Sequence, residues 1–464
     1  MKNSIITLLF STFFTFLNAQ TLDVDTILFN GRTDNRINLV ILSDGYQQAE
    51  LGKFITDAMT ITSALFQTSP YAEYKNYFNV FAIKVPSQES GASHPGNADD
   101  ENQAHPSNTV KTVNNYFGST FDFAGIHRLL VPTENSKINS VLSTNFPSYD
   151  QVFILVNSDF YGGSGGIFAT SSVEANSNEI AIHELGHSFA NLADEYYAGD
   201  GFAAELANMT QVTDPAKVKW KNWGSDNGIG IYPHSGTAMA PSWNKPHQTC
   251  KMNILDNPFC SVCIEATTKT ILALINQIDT KTPDVGSIFT STFPMNFSVI
   301  PILPIPNTLK VKWLLQEQEI DSINYNISIE SSDLEKGGNF LQVFVEDTTT
   351  LMRLNPGHTI RNISTRSWSI ENYPVSVAFI DENQYSIQLF PNPATDFLTI
   401  EYIARKDQNL NAVLVDINGR EVSKHNFQNS SSIQLNIQGL AKGTYLVNFY
   451  DGDIEIAQEK FIKQ

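Results

Sequence analysis

Residues 35–87, "NRINLVILSDGYQQAELGKFITDAMTITSALFQTSPYAEYKNYFNVFAIKVPS", decide the fold class. A strand-like apolar run from Ile37 to Leu42 is followed by helical apolar spacing through about Phe66, then by a second strand-like run from Phe78 to Val85. Strand, helix and strand in that order predict a mixed α/β layer. A further strand signal at 149–160, "YDQVFILVNSDF", leads into "YGGSGGIFATSS", and a helix is expected to begin near Glu179. The glycines at 162, 163, 165 and 166 lack the Gly-Lys-Ser/Thr ending of a phosphate loop. They read either as a flexible turn or as an edge whose backbone can pair with an extended peptide.

The helix that follows carries "HELGHSFANLADEYY" at 183–197. Residues four apart on a helix lie about 40° apart in azimuth and roughly 6 Å apart along the axis, so both imidazoles of His183 and His187 can reach one ion. A zinc held by two nitrogens keeps room for a third protein ligand and a water. Glu184 points about 100° away from His183, which suits a general base acting on a metal-activated water better than an inner ligand. Gly186, roughly 1 kcal/mol worse than Ala inside a helix, argues against an ordinary surface helix. For the third ligand, Asp194 is the nearest candidate and Glu195 the next. On an unbroken helix Asp194 would stand about 10 Å along the axis from His187, so ligation requires the chain to turn between Ser188 and Asp194. Otherwise Asp194 would orient an imidazole from outside the coordination sphere. His234 and His247 are outside candidates. Met239 and Met252 lie near turn residues in "SGTAMAPSWNKPHQTCKMNILDNPFCSVC" (235–263), and Met252 is the choice for a Met-turn floor beneath the metal. Tyr196, Tyr197 and Tyr232 are candidates to polarise a carbonyl, with nothing in their spacing to select among them.

Beyond this core, 29 basic residues against 48 acidic ones give a net charge of −19, which disfavours nucleic acid and anionic membrane as partners. The first 20 residues, "MKNSIITLLFSTFFTFLNAQ", set one Lys ahead of an apolar run with a small-residue exit, the pattern of a cleaved secretory signal peptide. No later run reaches the roughly eighteen apolar residues of a transmembrane segment. Three cysteines, Cys250, Cys260 and Cys263, predict one local disulfide and a leftover thiol in an oxidising compartment. A zinc site on the same thiols would need a fourth ligand. The loop "SQESGASHPGNADDENQAHPSN" (87–108) offers Asp99, Asp100 and Glu101 to calcium, but without EF-hand spacing a solvated acidic loop is the better reading.

Helical spacing in "IEATTKTILALINQI" gives way at 279–287 to "DTKTPDVGS", read as a linker. Short β-branched and aromatic runs over 285–373 then predict an immunoglobulin-like β-sandwich without a disulfide. Residues 385–464 predict a second β-sandwich, with Asn418-Gly419 as a hairpin turn.

Two resemblances add to this reading. The last block resembles the C-terminal sorting domain of the type IX secretion system through Pro391-Asn392-Pro393, the turn from Asp416 to Arg420, "GLAKGTYLV" at 439–447 and the terminal "KFIK". Residues 30–280 resemble the IgA-peptidase family of zinc metallopeptidases, family sixty-four. The matching residues are Ser43-Asp44-Gly45-Tyr46, "SPYAEYKNYFNVFAIKVPSQESG" (69–91), "YGGSGG", "HELGHSFANLADEY" and the segment from "CKM" to "FCSVC" at 250–263. The metzincin pattern, by contrast, is broken at Ala190 and Ala193. The resemblance implies His183, His187 and Asp194 as zinc ligands and Glu184 as base, in an N-terminal family domain (21–125) followed by a zincin-like catalytic domain (126–280). It does not imply immunoglobulin A as substrate. The expected protein is therefore a multidomain, secreted or cell-surface zinc endopeptidase that cleaves extracellular proteins and is exported by the type IX machinery. The alternatives are a zinc hydrolase of non-peptide amides and a catalytically inactive surface binding protein.

Overall fold

The computed structural model describes residues 21–100, 110–197, 202–234, 242–289, 292–353, 362–372, 386–403, 410–416, 420–427, 432–451 and 454–464. The proposed signal peptide, Glu101, Met239 and Asn418-Gly419 lie outside these residues. Two compact units divide the chain. The first comprises Met1–Gln277, Ile302–Leu309 and Asp347–Ile363; the second comprises Ile278–Pro301, Lys310–Glu346 and Ser364–Gln464.

The first unit is built on a six-stranded sheet. Its strands are β1 (Val24–Leu28), β2 (Ile37–Asp44), β3 (Phe78–Ile83), β4 (Gln151–Val156), β5 (Gly163–Gly165) and β6 (Ala169–Ser171), in the order β1-β3-β2-β4-β6-β5. The four inner strands run parallel, and β1 and β5 close the two edges antiparallel. Every residue of β2, β3 and β4 is buried, which is why these strands read as continuous apolar runs. Their alternate residues serve two layers. Ile37, Leu39 and Ile41 face a core shared with helices α1 (Leu51–Leu65), α3 (Ser177–Ala190) and α4 (Ser261–Leu274). Val40 and Leu42 face a second core completed by Ile138, Val141 and Leu142 of α2 (Asn135–Asn145). Strands from the two sides of the expected boundary at 125 join in one sheet through the parallel pairing of β2 with β4, so 21–125 and 126–280 are not separate layers.

At the carboxyl end of β2 the Ser43-Asp44-Gly45-Tyr46 turn organises loops. The buried Asp44 carboxylate accepts main-chain N–H bonds from Tyr116 (2.8 Å), Phe117 (3.0 Å) and Ser119 (3.2 Å). Gly45 has φ of +68°, and a β-carbon there would lie 2.3 Å from the Gly91 carbonyl oxygen, so the chain crossing requires glycine.

In the second unit, a five-stranded and a three-stranded sheet share a core in which Trp313 and Trp368 stack at 5.6 Å and Phe297 meets Trp368 edge-on at 5.2 Å. The stretch expected to be a linker supplies one of these strands: Ile278–Thr282 pairs antiparallel with Met295–Pro301, and its burial alternates under a polar, threonine-rich sequence. Residues 302–309 and 347–363, expected within this sandwich, group instead with the first unit. The C-terminal β-domain packs a three-stranded and a four-stranded sheet around Leu398, Ile400, Leu414, Val447, Phe449 and Phe461. The strands Leu410–Asp416 and Glu421–Asn426 flanking the expected hairpin turn pair antiparallel. Among the described residues no helix is long and apolar enough to cross a membrane.

Candidate metal centre

Helix α3 lays Ala181, Ile182 and Leu185 into the core and leaves His183 and His187 on a neighbouring face. It ends at Ala190, because Asn191 adopts a left-handed conformation (φ 51°, ψ 45°). The turn is closed by main-chain bonds from Asn191 to the His187 carbonyl (3.0 Å) and from Leu192 to the Gly186 carbonyl (3.1 Å). This reversal falls within the interval where ligation by Asp194 demands one. It brings Asp194 Oδ1 to 3.0 Å from His183 Nε2 and 3.2 Å from His187 Nε2, and the two Nε2 atoms are 3.1 Å apart.

The other nitrogen of each ring fixes its protonation. His183 Nδ1 donates to the Lys251 carbonyl (3.1 Å) and His187 Nδ1 to the Leu192 carbonyl (2.7 Å), since a carbonyl can only accept. Both Nε2 lone pairs therefore point at each other and at a carboxylate oxygen. Three acceptors cannot rest at hydrogen-bond distance from one another without a proton or a cation between them. Burial alone would lower the His187 pKa, but the Asp194 carboxylate outweighs it and pushes it up to about 9. Two imidazoles and a carboxylate suit Zn2+, and ligands about 2.0–2.1 Å from a tetrahedral ion lie roughly 3.3 Å apart, close to the spacing here. The side chains of His187 and Asp194 keep 16% and 22% of their exposure, so one side of the cluster is open to solvent.

Glu184, half-buried, sits beneath β5, where the β-carbon position of Gly163 is 3.1 Å from its Cγ. Burial raises its pKa against the pull of the two histidines. The glycines of β5 have a steric cause: a β-carbon on Gly165 would come within 2.4–2.8 Å of His187 side-chain atoms. The outer side of Gly163 already pairs with Arg128 and Leu130, so this edge is not wholly available to a peptide.

Met252 is fully buried under α3, where a β-carbon on Gly186 would lie 2.8 Å from its Sδ. Its carbonyl accepts the N–H of Glu195 at 2.6 Å. Of the candidate tyrosines, Tyr196 stacks on His183 (centroids 6.2 Å apart), while Tyr197 packs against His234 and the Tyr232 hydroxyl donates to the Gly228 carbonyl. His234 contributes no ligand: its Nε2 lies 3.1 Å from the Asp194 carbonyl and 2.9 Å from that of Tyr196, holding the turn from behind. His247 bonds locally to Thr249. Two neighbours carried no signal in the sequence. Arg128 lies over the Tyr196 ring at 5.5 Å, and the pKa of half-buried Tyr161 is raised, chiefly by burial. Asp100 accepts the N–H of His127 (2.7 Å), and among the described residues no metal-ligating cluster includes Asp99 or Asp100.

Glu195 turns away from this centre towards the cysteines, none of which forms a disulfide. A third cluster, His94, Asp122 and His127, is tied to its loop by Gly96, whose N–H the Asp122 carboxylate accepts at 2.6 Å.

Residues 26–231 match the family model described as IgA Peptidase M64, and residues 388–464 match that of the secretion system C-terminal sorting domain. No curated protein matches the chain. Among solved structures, latent PorU from Porphyromonas gingivalis is similar at 14% identity over 40% of this chain and 20% of that one, with a TM-score of 0.18. The chain thus spans about a fifth of that molecule's length. Fibronectin(III)-like modules of Clostridium thermocellum CbhA match at 13% identity over 40% of this chain and 92% of theirs, with a TM-score of 0.15. A two-domain fibronectin type-III segment of chicken tenascin matches at 13% identity over 37% and 94%, with a TM-score of 0.14. The sorting-domain match marks the chain for type IX export to the cell surface or beyond. The stretch matched by the IgA peptidase family model contains His183, His187 and Asp194, and the stretch matched by the secretion sorting domain model closes the chain's described β-domain at 388–464.

Proposed function

We propose that the protein is an exported zinc-dependent endopeptidase acting on extracellular proteins, with residues 1–20 as its signal peptide and its active centre on α3. The observation that supports this most is the convergence of three acceptor atoms, His183 Nε2, His187 Nε2 and Asp194 Oδ1, within 3.0–3.2 Å of one another while both Nδ1 atoms are committed to carbonyls. In this reading these three side chains hold the ion. When bound, zinc polarises a peptide carbonyl and acidifies water. Glu184 accepts the proton of the attacking water and returns it to the departing amine, a role suited to a carboxylate whose pKa burial has raised. In this reading Tyr196, which stacks on His183 with Arg128 over its ring, donates to the developing oxyanion. Gly163 and Gly165 let the β5 backbone approach the helix closely enough to frame the substrate.

Glu184→Gln tests this reading. Its proteolysis of an unfolded protein substrate should fall by about 10²–10⁴-fold with zinc content unchanged, and His187→Ala should lose the centre's zinc equivalent. A Glu184→Gln protein as active as the unaltered chain would remove the catalytic assignment, and an unaltered zinc content in His187→Ala would remove the metal assignment.

A further inference from the structure

The cysteines predict a disulfide from composition alone, yet the fold does something different with them. Cys250, Cys260 and Cys263 are 0%, 7% and 0% exposed, and the Glu195 carboxylate, itself 0% exposed, is turned into their midst. One ligand atom from each lies within 4.8 Å of all the others. Cys250 Sγ is 3.6 Å from Cys263 Sγ, and Glu195 Oε1 is 3.3 Å from Cys263 Sγ and 4.0 Å from Cys260 Sγ. Thiolates bound to tetrahedral zinc at about 2.3 Å lie roughly 3.8 Å from one another and roughly 3.5 Å from a carboxylate oxygen on the same ion. The sulfur–sulfur distance of 3.6 Å here lies just under the first value, and the sulfur–oxygen distances of 3.3 and 4.0 Å bracket the second. A disulfide would need sulfurs about 2.05 Å apart.

Glu195 separates the two possibilities further. Its Oε2 is buried with no hydrogen-bond partner, a condition that costs more for a charged oxygen than for a neutral one. Asn208 Nδ2 donates to Oε1 at 3.0 Å, but closing a disulfide between any two of the thiols would still leave Oε2 without a partner and the third sulfur outside the bridge. A cation among the four groups accounts for all of them. The surroundings suit anionic sulfur: Cys260 is the N-cap of α4 and Cys263 lies in its first turn, where the helix dipole favours negative charge. The Cys260 N–H donates to Cys250 Sγ at 3.2 Å, and the buried Lys245 ammonium donates to the Glu195 carbonyl.

We propose that Cys250, Cys260, Cys263 and Glu195 form a second, structural zinc site. Thiolate donors and a closed four-ligand shell select Zn2+ over oxygen-loving cations. The site braces the first centre at three points. Cys250 precedes Lys251, whose carbonyl orients His183; Met252 accepts the N–H of Glu195; and Glu195 follows Asp194. This inference stands without the peptidase reading, because it concerns residues that the proposed chemistry does not use.

The test is metal and thiol analysis of the full chain. Zinc-loaded protein should carry two equivalents, and His187→Ala should retain one. That remaining equivalent should bind Co2+ with the near-ultraviolet thiolate-to-cobalt charge-transfer band, and the band should vanish in His187→Ala/Cys260→Ser. Unfolding the unaltered protein in chelator without reductant should release three reactive thiols. A cobalt-loaded His187→Ala protein without the thiolate band, or a single reactive thiol after unfolding, would overturn the proposal. If Cys260→Ser does not fold, the His187→Ala cobalt spectrum and the thiol count still decide. Failure of the first centre alone would appear as one zinc equivalent in the unaltered protein with the thiolate band intact.

Discussion

Asp194 and Glu195 are consecutive carboxylates that serve two different environments. Asp194 keeps 22% of its side-chain exposure and meets two imidazoles, whereas Glu195 is wholly buried and meets three sulfurs. An extended backbone sends neighbouring side chains to opposite sides, so one short segment can supply both clusters. The contrast teaches what each arrangement can do. A three-ligand cluster with an open side leaves room for water and a carbonyl, while four ligands sealed from solvent leave room only for the ion. In the proposed function the open cluster carries the chemistry and the closed one holds its frame.

The largest expected effect comes from closing the open side. Gly165→Ala would put a methyl group within 2.4–2.8 Å of His187, whose ring is held by its bonds to the Leu192 carbonyl and to Asp194. Proteolysis should fall at least about tenfold, because a displacement of roughly 1 Å at a reacting centre is enough for such losses. The zinc equivalent at the imidazoles should weaken while the thiolate site is untouched. Gly166→Ala, with nothing within 4 Å of its β-carbon, is the matched control. Equal activity in the two variants would show that β5 does not press on the centre.

Next comes metal removal. In a zinc-indicator assay with excess chelator, release should be biphasic. The fast phase should belong to the exposed imidazole cluster and disappear in His187→Ala, and the slow phase should belong to the buried thiolates. A single phase would mean that the two clusters do not differ in access.

A smaller effect is expected at the turn that aims Asp194. Asn191 sits at φ 51°, where a residue with a β-carbon is strained by roughly 1–2 kcal/mol unless a short polar side chain offsets it. Asn191→Ala should therefore lower stability by about 1 kcal/mol in denaturant titration, and Asn191→Gly should not. If Ala is tolerated as well as Gly, the left-handed cap does not hold the reversal.

These positions also show what the sequence could convey. Strands β2, β3 and β4 and helices α1 and α3 were legible because each presents an unbroken apolar run or a helical period. Strand β5 was not, because three residues of Gly-Ser-Gly have no hydrophobic signature. Helix α2 was not, because "NSKINSVLSTN" buries only Ile138, Val141 and Leu142. The expected linker hid a strand under threonine, lysine and aspartate, whose alternation becomes visible only once Met295–Pro301 lies beside it. The two histidines were legible from a spacing of four, and the need for a turn before Asp194 followed from helix rise alone. Which of two adjacent acids faces the histidines depends on the direction of that turn, and the partnership of Glu195 with cysteines more than fifty residues away is a property of tertiary packing. Arg128 had no local pattern to mark it.

The smallest effect tests the shared floor of the two clusters. Gly186 lies inside α3, where replacement by Ala should add roughly 1 kcal/mol of helix propensity. Its β-carbon, however, would lie 2.8 Å from Met252 Sδ and 3.4 Å from both Leu192 and Phe259, and Met252 is fully buried and cannot swing into solvent. The two contributions should roughly cancel, leaving Gly186→Ala within about 1 kcal/mol of the unaltered protein. With Met252 truncated to Ala the obstacle is gone, so the same Gly186→Ala change should then stabilise by about 1 kcal/mol. The coupling between the two positions in a double-mutant cycle is therefore expected to be about 1 kcal/mol. Strict additivity would mean that Met252 does not press on the helix that carries the histidines, and the floor common to both clusters would have to be sought in Leu192 and Phe259.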